Sequence, residues 1–448
     1  MRQKIRRALF LAPPEDGRRP TPGKPALLAV AAVALAVLLQ LARLGFGGSV
    51  DSLWAEDGPI LIEGAFRDGF LEAVFSPYAG YLIVVPRLIG ELGAAMPLRD
   101  TAVAVTIAAT LVVALCGLVV WVAAAGHLRN PYLRGALVAL TVLSPVASLE
   151  SVGAGSYVLW YMLFAGFWVL LWTPRTTAGA VLGGLFLLAT GLSTPGLWFF
   201  APLAALRLLA AVDRRDAAIL AGYAIGAVVQ APVLASNSAS AVEPRWTADI
   251  WTGYLQRVLD GGLFGESLGG VAWETFGWAL LIALLVAALA GLVFVARRSS
   301  TQVRVFTAVA VGTSLLMYAA SVYQRAVGTE LMWPAGEHFG HAGRYAIVPA
   351  LLLASAAFVA IDRWPRPLPG PPQLPWAGLV AVALAALAIG SSFQVGDTAV
   401  RGAPSWSDAV DAAAAHCQTE GVGYAPIETS PPGFAVFVTC QTLSDASR

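Results

Sequence analysis

The feature that most limits this chain is a succession of apolar stretches, about 17–25 residues long and rich in Ala, Leu and Val, between residues 26 and 393. Such a run matches the ~20 residues a helix needs to cross a hydrocarbon layer of ~30 Å. The bilayer core offers no water to backbone groups, so a spanning segment must be a helix or part of a closed barrel. Barrel strands alternate apolar and polar residues over ~10 positions. These runs do not alternate, and are read as helices. Composition agrees: 58% of residues are hydrophobic and 12% charged, against roughly 25% charged in a soluble domain. The expected fold class is an all-α polytopic membrane protein with about eleven transmembrane helices. They are placed at 26–46, 101–124, 135–149, 156–173, 178–193, 195–211, 216–235, 272–296, 303–322, 344–361 and 376–393.

Charge orients the bundle. With the N-terminus in the cytoplasm, 18 of the 28 basic residues fall on the cytoplasmic side, in short segments. They include Arg129, Arg134, Arg175, Arg207, Arg214, Arg215, Arg297, Arg298, Arg304, Arg363 and Arg366. That is the positive-inside pattern. The long polar segments 47–100, 236–271, 323–343 and 394–448 then lie outside, and sites are built where loops are long. Residues 1–25 read as a basic, flexible cytoplasmic segment, and the first apolar run as an uncleaved span. A net charge of +1 carries no information about partners, and no nucleic-acid partner is expected. No fixed-period repeat is visible.

The tail 394–448 reads as a small external α/β unit. A short helix is expected around Trp406, Val410, Ala413 and Ala414, and two short strands at 423–427 and 434–438. Cys417 and Cys440 fit a disulfide in an oxidising location. Cys116 lies in an apolar run and reads as inert.

Three constellations carry polar chemistry. The first external loop holds adjacent acids Glu56 and Asp57, then Gly58-Pro59. Apolar residues Ile60, Ile62, Ala65, Phe66, Phe70 and Val74 follow at helical spacing, as in an interfacial amphipathic helix. Segment 80–97, with Arg87 and Glu91, reads as a second interfacial or re-entrant helix. A carboxylate at the membrane surface can take a proton from a hydroxyl, and a like-charged neighbour raises one pKa. The alternative is a solvated acid, or Asp57 capping the helix after Pro59. The second constellation runs from Tyr323 to Tyr345 and contains Arg325, Glu337, His338, His341 and Arg344. Arg344 opens a span, where an arginine either clamps a phosphate or snorkels as an anchor. Glu337, His338 and His341 are too few to favour a divalent metal. The third, 236–271, carries Trp246, Trp251 and Tyr254, whose rings either stack on sugars or anchor in headgroups. Glu150, Tyr157 and Trp160 lie at the external ends of the third and fourth spans.

These features resemble the polytopic glycosyltransferases of the type C fold, enzymes that take sugars from lipid-phosphate carriers on the external face. The likeness covers span count, orientation, the acid-bearing first loop and the external tail. Trp54-Ala-Glu56-Asp57-Gly58, Pro77-Tyr78-Ala-Gly-Tyr81, Pro86-Arg87, Ser193-Thr194-Pro195 and the paired cysteines are similar to a related bacterial membrane family. The Ala- and Gly-rich composition with two lysines is that of a high-GC, actinobacterial-type genome. The resemblance implies a catalytic base at Asp57 or Glu56, with Asp57 preferred because Gly58-Pro59 fixes the chain behind it. It implies a donor-phosphate contact at Arg344, with Arg87 and Arg325 as further cations. Tyr78, Tyr81, Glu150, Trp160, Tyr345 and His341 are the expected substrate contacts. The implied partners are a polyprenyl-phosphate sugar, a glycan, lipid or protein acceptor of the cell envelope, and membrane lipids, without a cofactor. The implied location is the bacterial plasma membrane, with the C-terminus external. A flippase needs charged groups deep in the spans, and few occur here. A ligase or polymerase of lipid-linked saccharides shares the same face and donor.

Overall fold

A computed structural model describes residues 2–12, 24–45, 49–147, 151–236, 246, 249–325, 343–363, 376–393, 405–420 and 423–446. Each of the eleven expected apolar segments contains helix. The long ones are α2 (Lys24–Leu44), α6 (Thr101–Ala123), α11 (Arg214–Ser236), α14 (Trp278–Arg298), α15 (Thr301–Arg325) and α16 (Arg344–Asp362). Among the described residues these six are long and apolar enough to cross a membrane, which marks a multi-pass membrane protein. Five shorter apolar helices complete the set: α7 (Pro131–Val142), α8 (Val158–Leu171), α9 (Thr177–Gly191), α10 (Ala201–Ala210) and α17 (Trp376–Ser391).

Local chemistry explains where these helices stop. Asn130 caps α7 by accepting from the Tyr132 amide at 2.9 Å, with Pro131 in the first turn. Ser193-Thr194-Pro195 joins two helices with almost no loop. Thr194 Oγ1 accepts from the Gly196 amide (3.1 Å), Pro195 opens a 3-10 turn, and Ser193 Oγ accepts from the Val85 amide (3.0 Å). A Cβ added to Gly222 would lie 1.8 Å from the Gly184 carbonyl oxygen, so α9 and α11 cross at glycines. Arg43, buried at the end of α2, donates to the carbonyls of Ser144, Ala147 and Ser392. It thereby ties together the neighbouring ends of α2, α7 and α17.

The N-terminus departs from the expectation of a flexible segment. Arg2–Leu9 form a helix, α1, docked against α10 and α15. Leu9 and Phe10 are buried. Arg6 pairs with Asp216 at 2.9 Å, and Arg207 pairs with the other oxygen of that carboxylate at 2.8 Å. Arg207 also donates to the carbonyls of Leu170 and Trp172 and lies over the Phe10 ring. Arg6 of α1 and Arg207 of α10 thus share one buried acid, and Arg207 also answers the carbonyls at the end of α8.

The first loop also differs from one continuous amphipathic helix. It folds as a 3-10 turn (55–57), a π-turn (58–62), α3 (Glu63–Arg67) and α4 (Phe70–Phe75), broken at Asp68-Gly69. Leu61, Ile62, Ala73 and Val74 face the core, while Phe70, Leu71 and Phe75 are exposed. Segment 80–97 forms α5 (Val84–Ala94), which packs on α6 and is 11 residues long, too short for an extra span. Its exposed Leu88 and Leu92 extend the apolar ledge begun by α4.

The rest of the chain supports this frame. Segment 249–276 holds α12 (Asp249–Gly253), a π-turn at 254–260 and α13 (Gly261–Phe276), which ends where Gly277 takes φ +50°. The tail forms α18 (Trp406–Glu420), strands β1 (Tyr424–Thr429) and β2 (Phe434–Thr439), and α19 (Cys440–Ala446). The strands pair antiparallel, Tyr424 opposite Thr439. Cys417 and Cys440 are bonded and tie α18 to the end of β2. Trp406, Val410 and Ala413 are buried, as their spacing predicts.

Candidate functional site

Three consecutive residues of the first loop point in three directions. Ala55 faces the tail, Glu56 faces a cluster of aromatic rings and an arginine, and Asp57 faces the bundle. The tight turn over Ala55–Asp57, entered through Ala55 at φ +41°, makes this possible.

Asp57 is 1% exposed. Its carboxylate accepts from the Gly155 amide (2.9 Å), the Ser156 amide (2.8 Å) and the Ser156 hydroxyl (2.6 Å). Burial dominates and pushes its pKa up to about 6, opposed by these bonds and aided slightly by the Glu56 charge. A small crevice lined by Leu44, Ser52, Trp54, Thr106 and Gly153 touches the same residue. Asp57 seats the loop on the turn that opens α8.

Glu56 is half-buried and turned the other way. The Tyr157 hydroxyl donates to Glu56 Oε2 at 2.7 Å, and the Tyr78 hydroxyl approaches Oε1 at 3.5 Å. Tyr157 also accepts from Arg344 Nη1 at 3.4 Å. The Arg344 guanidinium lies over the rings of Tyr157 (5.1 Å) and Tyr345 (5.0 Å), within cation–π range. Trp160 meets Tyr345 edge-on at 5.5 Å. Tyr81 bridges backbone to backbone with Tyr78 across Ala79, which takes φ +48°. A carboxylate and a guanidinium are therefore linked through one phenol, inside a ring of aromatic side chains.

Of the residues singled out in the sequence, Glu56, Tyr78, Tyr81, Trp160, Arg344 and Tyr345 come together here. The two acids separate in the structure. Asp57 spends both oxygens on bundle donors, whereas Glu56 lines the cluster. Arg87 stands apart as well. It is buried beneath the π-turn, donates to the Ile60 carbonyl and packs under Gly64, so it supports the loop from below and presents no phosphate contact at the cluster. Burial lowers its pKa. Arg325 ends α15, and its side chain lies outside the described residues, as do Glu150 and His341. Among the described residues no three His, Cys, Asp or Glu side chains gather in a way that would hold a metal. The Gly155-Ser156 seat and the hub role of Tyr157 have no sequence signature beyond lying at a span end. Trp246, Trp251 and Tyr323 form a separate, exposed aromatic patch.

Compared with family models, curated proteins and solved structures, the chain matches none.

Proposed function

We propose that this protein is a membrane glycosyltransferase. It moves a sugar from a polyprenyl-phosphate carrier to a cell-envelope acceptor, with inversion, at the external face of a bacterial plasma membrane. The observation that carries the reading is the Glu56–Tyr157–Arg344 linkage beside the exposed apolar ledge of α4 and α5. An acid, a cation and stacking rings at the edge of a lipid-facing surface suit a substrate with a hydroxyl nucleophile, a phosphate leaving group and a lipid tail. The accompanying topology has eleven spans, the N-terminus inside and the tail outside. The distribution of basic residues supports it.

In this mechanism Glu56 takes the proton of the acceptor hydroxyl as its oxygen attacks the anomeric carbon. The bond from that carbon to the phosphate oxygen breaks, and polyprenyl phosphate leaves with the electron pair. Arg344 meets the charge that develops on the leaving phosphate, exchanging part of its contact with Tyr157 for it. Tyr157 orients the carboxylate, and Trp160, Tyr345 and Tyr78 offer faces for sugar rings. Asp57 takes no part in proton transfer and fixes the loop.

The test uses the full chain in sealed proteoliposomes with a panel of radiolabelled polyprenyl-phosphate sugars and a cell-envelope fraction as acceptor, following release of polyprenyl phosphate and label in the acceptor. One donor is expected to turn over. Glu56→Gln should lower kcat by ~10²–10⁴, the usual worth of a general base, and Arg344→Ala should raise the donor KM. The reading falls if no donor is consumed, or if Glu56→Gln matches the unmodified protein. Movement of intact donor across the bilayer would point to a flippase instead.

A further inference from the structure

We propose that the disulfide-closed unit at residues 405–446 is the positioning element of the Glu56 site, so that transfer depends on Cys417 and Cys440 being oxidised. The transfer part of this inference rests on the function proposed above; the positioning part does not.

The backbone constraint centres on Ala55. Its φ is +41°, a left-handed conformation that a residue with a Cβ adopts only under constraint. Such strain persists where surrounding structure over-determines it, and it collects at functional sites. Here the constraint comes from the far end of the chain. Ser430, directly after β1, forms a parallel bridge with Trp54. Its amide donates to the Leu53 carbonyl at 3.1 Å, and its carbonyl accepts from the Ala55 amide. The next residue along is Glu56.

The tail grips the same loop at further points. The Trp406 amide donates to the Asp51 carbonyl at 2.6 Å, and the Ser407 hydroxyl donates to the Asp51 carboxylate at 2.6 Å. The Trp406 indole donates to the Leu98 carbonyl at 2.6 Å, and Arg99 pairs with Asp411. Thr429 and Val436 close over Gly58, where an added Cβ would lie 3.0 Å from each. The Phe437 amide donates to Glu63 at 3.1 Å. The loop is thus clamped on both sides of Glu56, by Ser430 before it and by Asp57 after it.

What keeps Ser430 in register is the tail's own fold, which is small. Two strands and two helices of this size do not bury enough apolar surface to hold together unaided, and a cross-link is the usual remedy. The Cys417–Cys440 bond closes a separation of 23 residues and joins the helix that anchors at Asp51 to the strand that covers Gly58. Opening it uncouples those two anchors. Ser430 is then free to leave Leu53 and Ala55, Ala55 relaxes to negative φ, and Glu56 turns away from Tyr157.

Reduction is a two-electron step. A dithiol supplies two electrons and two protons to the Cys417–Cys440 bond and leaves as its own disulfide. Cys116, the third cysteine, is free and buried, so the reagent has one target.

The experiment compares oxidised, dithiothreitol-treated and reoxidised full-length protein in nanodiscs, alongside a Cys417→Ser/Cys440→Ser variant. Amide exchange by mass spectrometry and sugar transfer are both measured. Reduction should speed exchange at Leu53–Asp57 about tenfold or more and leave α8 unchanged. It should lower kcat by about tenfold or more with the donor KM within about threefold, because displacing a catalytic group by ~1 Å already costs as much as 10². Reoxidation should restore both. If the double variant fails to insert, reduction of the folded protein decides alone. Unchanged exchange at Leu53–Asp57 after reduction overturns the positioning claim. Faster exchange with unchanged kcat overturns the dependence of transfer on oxidation. If the oxidised protein transfers no sugar, the function proposed above fails and the exchange result still decides the positioning.

Discussion

The seat of Asp57 makes the first loop sensitive to pH, and the size of the effect follows from the structure. Burial raises this carboxyl from 3.8 to about 6. Because the folded-state value lies above the unfolded one, the stabilisation is complete below about pH 4 and is lost as pH climbs through about 6. At ~1.4 kcal/mol per pKa unit, the whole range is worth about 3 kcal/mol, and a little under half of it falls between pH 5 and pH 7. The amides of Gly155 and Ser156 donate directly to this carboxylate, so their hydrogen exchange reports its grip. After correction for the intrinsic pH dependence of exchange, they should exchange several-fold faster at pH 7 than at pH 5. Asp57→Asn removes the titration. It turns an amide toward a backbone donor and weakens the seat by ~1–3 kcal/mol, equally at every pH. The expected signature is therefore a flat profile at a lower level of protection. If the original and Asp57→Asn proteins show the same pH slope, Asp57 is not the titrating group and its burial does not govern the loop.

Three further expectations concern the frame. Gly222→Leu places a side chain where the Gly184 carbonyl already lies, and should separate α9 from α11 and lower stability by ~3 kcal/mol or more, read as a lower melting temperature in detergent. Arg207→Met leaves Asp216 with Arg6 as its remaining ionic partner and should cost ~3–5 kcal/mol, the usual penalty for breaking a buried pair; Arg6→Ala, which removes the more exposed partner, should cost clearly less in the same assay. Phe70→Trp puts a reporter on the exposed face of α4, and its fluorescence should be quenched by lipids brominated on the acyl chain but weakly by aqueous iodide. The reverse pattern would show that the α4–α5 ledge faces water.

The apolar segments were readable because a span must be long, apolar and helical, and each condition leaves a mark on composition. The tail was readable for a similar reason: alternation at 424–429 and 434–439 and a pair of cysteines are local signals. Arg344 and Trp160 were legible because both sit at span ends. The division of labour between Glu56 and Asp57 was hidden, because it depends on the left-handed turn at Ala55, and alanine does not announce such a turn. The seat at Gly155-Ser156 uses backbone amides, which every residue but proline has. Arg87 resembles any other loop arginine until the chain folds over it. The helix at Arg2–Leu9 is eight residues long and gains its stability from partners on α11 and α15, far along the chain.

That last separation has a consequence for biosynthesis. Helix α1 is made well before Asp216 and Gln302, which hold Arg6 and the Arg7 carbonyl. At ~5–20 residues per second, the interval before Asp216 is translated is roughly 10–40 s. Throughout that time the seat of Leu9 and Phe10 is incomplete, and the basic residues around them are available to anionic headgroups. The end of the bundle that α1 closes is therefore completed only after α15 has been made, and a tag placed ahead of Arg2 would interfere with that last docking step rather than with insertion of the first span.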